Sequence, residues 1–136
     1  MSENKLVNEE QEVSALDLLL GDDMPSLKKD IPTAEFEVAR LSEAAGKPVV
    51  FKLQALPYGR VQDLARMTQD SDVAILLAGC VTPDLKDPKL MAKYGGATPG
   101  EMVKNLLLAG EIADLSHAVE RLCGYRRVTI SEVKNG

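Results

Sequence analysis

Thr98-Pro-Gly-Glu-Met-Val-Lys-Asn-Leu-Leu-Leu-Ala-Gly-Glu-Ile-Ala-Asp-Leu-Ser-His-Ala-Val-Glu-Arg-Leu-Cys-Gly124 is the stretch that decides the fold. Thr98, with Pro99 at the first helical position and Glu101 three residues on, makes a capping box: the threonine hydroxyl takes the Glu101 N–H while the glutamate reaches back. The helix that starts there places Met102, Val103, Leu106 and Leu107 on its apolar side, and Gly110 interrupts it. A further helix runs from Glu111 to Cys123 with a stripe of Ile112, Leu115, Val119, Leu122 and Cys123, and Gly124 stops it. Helices joined this tightly form an antiparallel pair or a kinked rod.

Upstream, Asp87-Pro88 begins a compact helix through Leu90, Met91 and Tyr94 that Gly95 ends. Asp70 or Ser71 caps a helix carrying Val73, Leu76, Leu77 and Cys80, and residues 58–68 show one-face spacing at Val61, Leu64, Ala65 and Thr68. Before these the period changes from helical to alternating. In residues 33–41 Phe36 and Val38 alternate with Glu35 and Glu37, and in residues 49–56 Val49, Phe51, Leu53 and Ala55 share a face, so the two segments pair as an antiparallel hairpin across the turn Ser42 to Pro48. Two strands alone are marginal in water, and the helices must cover their apolar face. The expected fold class is therefore α+β, mainly α-helical, with an N-terminal antiparallel β-hairpin packed on a bundle of about four to five helices.

Three segments are expected: an acidic, disordered leader at 1–13, one globular domain at 14–125 and a weakly ordered tail at 126–136. Within the domain, Ser14 caps a two-turn helix that Gly21 ends, too short to be stable unless Leu16, Leu19 and Leu20 pack on something. Residues 22–32, with two prolines and several charges, read as a connector.

Composition limits function. The 136 residues are 45% hydrophobic and only 4% aromatic, with no tryptophan and a formal net charge of −5. Lysine and arginine are nowhere concentrated enough to neutralise a run of phosphates, which argues against nucleic acid. No window reaches the roughly 18–20 apolar residues of a membrane helix, and the polar start lacks the pattern of a secretory signal, so a cytoplasmic protein without membrane contact is expected. Cys80 and Cys123 lie in apolar patterns without metal-ligand spacing and read as buried reduced thiols.

Catalytic signatures are missing. The lone histidine, His117, sits beside Glu120 and Arg121 with no second metal ligand near in sequence and reads as a solvated helix residue. The glycines of Tyr94 to Gly100 follow a helix instead of a strand, and Glu101 would repel phosphate, so the segment reads as an inter-helix turn. Glu35 and Glu37, like Asp22 and Asp23, occupy positions where solvated charge is expected. No enzyme activity, cofactor or metal is expected; apolar helix faces point instead to binding of a protein partner.

The acidic leader with its leucine helix, the two-strand segment Glu35 to Leu56 and above all the closing pattern Asn105 to Tyr125 resemble the XkdN-like tail assembly chaperones of phages and prophages. The most specific part is the Leu-Leu-Ala-Gly-Glu-Ile-Ala-Asp-Leu-Ser run from Leu107 to Ser116. The resemblance implies a non-catalytic, mainly helical protein that binds the tape measure protein, keeps that long apolar rod soluble, and helps recruit tail tube protein. It implies action in the host cytoplasm and absence from the mature virion. A homo-oligomer is compatible with the sequence. The alternatives are a structural tail or baseplate component and a small regulatory protein-binding module. Candidate partner-binding residues are Leu16, Leu18, Leu19 and Leu20, with whatever part of Met102, Val103, Leu106 and Ile112 stays exposed. Core packing is the ordinary role of the latter stripe.

Overall fold

The computed structural model describes residues 13–25, 27 and 30–134. The expected acidic leader, apart from Val13, lies outside the described residues. The chain divides into two units, 1–31 and 32–136. In the first, helix α1 (Ala15–Leu20) starts at Ser14, whose Oγ accepts from the Asp17 N–H at 3.1 Å, and it has no buried residue.

The second unit is α+β and mainly helical, as the alternating and helical periods predict. Its order is β1 (Thr33–Glu37), α2 (Ala39–Ala45), β2 (Val50–Gln54), α3 (Tyr58–Ala65), α4 (Ser71–Gly79), β3 (Cys80–Thr82), α5 (Pro88–Tyr94), α6 (Pro99–Leu106) and α7 (Ala109–Leu122). The strands form an antiparallel sheet in the order β1-β2-β3. Alternation along β2 turns Phe51 and Leu53 inward, and both are fully buried. They meet Leu76 of α4, Met102 and Val103 of α6, and Ile112, Leu115 and Val119 of α7 in one apolar cluster.

The expected hairpin is present in register, Phe36 opposite Phe51 and Glu35 opposite Lys52, but its connection is more than a turn. Residues 39–45 form α2, and β1 ends at Glu37 instead of running on to Leu41. Ala39-Arg-Leu-Ser-Glu-Ala-Ala45 is rich in good helix formers, and Gly46 at φ 72° supplies the left-handed stop. Ser42 Oγ accepts the Val49 N–H at 2.8 Å and ties this helix back to the sheet. The third strand is a second departure. Cys80 completes an apparent helical stripe with Val73, Leu76 and Leu77, yet α4 stops at Gly79. Pro83 disfavours helical backbone at Thr82, and the short Cys80-Val-Thr82 segment pairs with β2 instead.

The helix break also differs from expectation. The chain leaves helix at Leu107 and Leu108, and Gly110 lies within the first turn of α7. Glu111 explains this: its Oε1 accepts the Leu108 N–H at 2.7 Å and caps the new helix upstream of the glycine. At Thr98 the cap is as expected, Oγ1 accepting from the Glu101 N–H at 3.2 Å. The Glu101 carboxylate, however, accepts from Ala97, one residue before the cap, at 2.7 Å. The inter-helix turn expected at 94–100 joins α5 to α6, with Gly95 and Gly96 at positive φ. A Cβ on Gly96 would stand 2.7 Å from the Met102 nitrogen, so only glycine lets the chain pass so close.

Candidate interaction surfaces

The residues expected to bind a partner fall into two environments. Leu16, Leu18, Leu19 and Leu20 of α1 are 58–73% exposed. At about 100° per residue, Leu16, Leu19 and Leu20 share one face and Leu18 projects from the other. Met102 and Val103 are fully buried and Ile112 nearly so. Their side chains fill the core and offer nothing to a partner in this conformation. Leu106 alone of that group reaches the surface, half-buried at the end of α6.

Leu106 lines an open groove of about 370 Å³ whose walls come from α2 (Leu41, Ala44, Ala45), Val49 and Phe51 at the start of β2, and α5 (Leu90, Lys93, Tyr94), with Pro83 and Leu85 at its end. Among the described residues Lys93 is the only charged side chain lining it, and its Nζ stands 5.6 Å from the centre of the Tyr94 ring, a cation–π distance. Sequence periodicity could not find this groove, because its residues come from five separated segments.

A side-chain clamp sets the position of α2. Arg40 donates from Nε and Nη2 to the two carboxylate oxygens of Glu111 at 3.0 and 2.8 Å, and Nη2 also donates to the Leu106 carbonyl at 2.9 Å. The pair joins α2 to the α6–α7 break and satisfies a carbonyl at the end of α6. Arg40 hydrogen bonding holds the Glu111 carboxyl below its ordinary range, against the opposing effect of desolvation, with the Leu108 N–H helping.

Beyond the clamp a second groove, of about 450 Å³, opens between the end of β1, the start of α2 and α7. Phe36 and Ala118 present apolar surface over a floor of the buried Val38 and Leu115, and Glu37, Arg40, Glu111 and Asp114 are charged.

Reactive groups do not converge. Among the described residues no group of three or more histidine, cysteine or acidic side chains is placed to hold a metal ion, and His117 is half-buried on α7. The cysteines are free and half-buried. Burial, with Asp84 adding to it, pushes the Cys80 thiol up to about 12, so this sulfur stays protonated. Cys123 Sγ accepts the Leu56 N–H at 3.3 Å, which is a packing role. Among the described residues no helix is long and apolar enough to cross a membrane.

A family profile described as phage XkdN-like tail assembly chaperone protein matches residues 68–135, half of the chain, covering α4 to α7 and the segment beyond. The crystal structure of the protein YqbN is similar in fold, with a TM-score of 0.56 and 24% identity over 74% of this chain and 92% of that one. No curated protein gives a significant match.

Proposed function

This chain belongs to the XkdN-like family of phage tail assembly chaperones, and on that premise we propose that it acts without catalysis, in the host cytoplasm, by binding the tape measure protein. It keeps that protein soluble until tail tube subunits enclose it, helps recruit those subunits, and does not remain in the mature virion.

The observation that carries this reading is α1, whose four leucines are all exposed. A helix of six residues is too short to be stable by itself, so such a segment gains order when its apolar face is covered. Full burial of each leucine contributes about 1.5–3 kcal/mol, and association costs at least about 4 kcal/mol in lost freedom. The remainder is a modest affinity, which suits a chaperone that must let go. The groove holding Leu106 offers further apolar surface. The formal charge of −5 sets copies of this chain to repel one another, which opposes self-association through its apolar surface.

The test is co-expression with the tape measure protein, followed by affinity pull-down and a solubility measurement. The expected result is tape measure protein that is soluble only in the chaperone's company. Leu16→Asp with Leu19→Asp removes this effect while the helical circular dichroism and urea midpoint stay near those of the parent, since both positions are exposed. An insoluble tape measure protein that never co-purifies would sink the proposal, and the chaperone's presence in purified virions would make it a structural component instead.

A further inference from the structure

The geometry points to a second docking surface: the acidic groove between β1, α2 and α7 takes an apolar segment of a protein partner that carries lysine or arginine beside its apolar residues. The first observation is Phe36. In the β1–β2 register it stands opposite Phe51 and shares that residue's face of the sheet, yet Phe51 is 1% exposed and Phe36 is 36% exposed. An aromatic side chain on the core-facing side is thus left open at the sheet edge, where no further strand pairs with β1 among the described residues. Phe36 and the half-buried Ala118 form the open wall of the groove, and the buried Val38 and Leu115 form its floor.

The second observation is charge. Of the four charged side chains that line the groove, Arg40 and Glu111 neutralise each other through their two-point pair. Glu37 and Asp114 are exposed and make no ion pair or side-chain hydrogen bond among the described residues, which leaves a local formal charge of −2. Carboxylates beside an apolar wall attract a cation more strongly than they would in open water, because the wall lowers the local dielectric constant. Among the described residues the groove of Leu106 carries a single charge, the Lys93 cation, so the two surfaces select segments of opposite charge. A volume of about 450 Å³ has room for several side chains of such a segment. A second copy of this chain fits less well, since 21 acidic against 16 basic residues set copies to repel.

Two synthetic amphipathic peptides with one leucine pattern, one bearing lysine and the other glutamate at the polar positions, are the probes, read by fluorescence anisotropy. The lysine peptide binds at least tenfold more tightly than the glutamate peptide. Glu37→Lys with Asp114→Lys lowers its affinity at least tenfold. Glu43→Lys with Asp63→Lys, two exposed carboxylates outside the groove, makes the same change in net charge and lowers it less than threefold. Asp114→Lys alone gives a loss of threefold or more and guards against disturbance of β1 by the change at Glu37. Equal losses in the two double variants would mean that binding follows overall charge, and equal affinities for the two peptides would mean that the rim does not select; either overturns the proposal. So does a dimer of the chain alone, seen by sedimentation, that the Glu37 and Asp114 reversals dissociate, because the groove would then belong to a second copy.

Discussion

Gly79→Ala tests the packing on which the second unit depends. Gly79 ends α4 where that helix crosses α7, and a Cβ there would stand 2.6 and 2.7 Å from the two γ-methyls of Val119 and 3.3 Å from the Gln54 carbonyl oxygen. Carbon atoms pack best at about 3.5–4.0 Å, so both contacts overlap by roughly 1 Å. Val119 cannot swing clear: it is fully buried, and every staggered χ1 keeps at least one of its two methyls against the new Cβ. Overpacking of this kind costs about 1–3 kcal/mol, and two simultaneous overlaps put the cost near the top of that range. Alanine in a helix gains up to about 1 kcal/mol over glycine. The net expectation is a loss of about 2 kcal/mol, read as a lower urea midpoint at unchanged slope. Val119→Ala alone costs about 2–3 kcal/mol through lost methyls and a cavity, whereas in the double variant the new Cβ occupies that space. The double variant is therefore more stable than the sum of the singles by about 2 kcal/mol. A stabilising Gly79→Ala, or a cycle additive to within about 0.5 kcal/mol, would refute the α4–α7 contact as described.

Four further outcomes follow from local geometry and electrostatics. Gly96→Ala meets both a φ of 103° and a 2.7 Å approach to the Met102 nitrogen, and lowers stability by about 2–3 kcal/mol in the same urea assay. Glu111→Gln removes a carboxyl that the fold holds below its ordinary pKa, so the parent's advantage over the variant is full at neutral pH and vanishes as pH falls through the lowered value; thermal melts from pH 7 down to pH 2 read the convergence. For Cys80 the sign is opposite. Its raised pKa favours the folded state below the ordinary value of 9.0, and this contribution is lost as pH rises towards about 12, so stability falls less steeply over that interval in Cys80→Ala than in the parent. Alkylation of Cys80 by iodoacetamide at pH 8.5 is correspondingly slower in the native chain than in urea.

Local rules carried much of the description. The sequence by itself determined the alternating strand at Phe51 and Leu53, the caps at Ser14, Thr98 and Asp87, and the stripe of Ile112, Leu115 and Val119, because each depends on side-chain period or on bonds between residues a few positions apart. The same closing pattern pointed to the family that the profile match shows. Helix α2 is written in residues 39–45 but masked by the alternation running into it, and β3 is masked by a stripe that Cys80 completes although Pro83 disfavours helix at Thr82. Surface and interior were beyond periodicity altogether. Met102, Val103 and Leu106 follow one helical pattern, yet tertiary packing encloses the first two and leaves the third on a groove. Only the folded chain brings Arg40 to Glu111 across 71 positions, leaves Phe36 open opposite a buried Phe51, and sets Glu37 and Asp114 on one groove. An amphipathic stripe states which side of a helix avoids water; which part of that side is covered depends on elements far away in sequence.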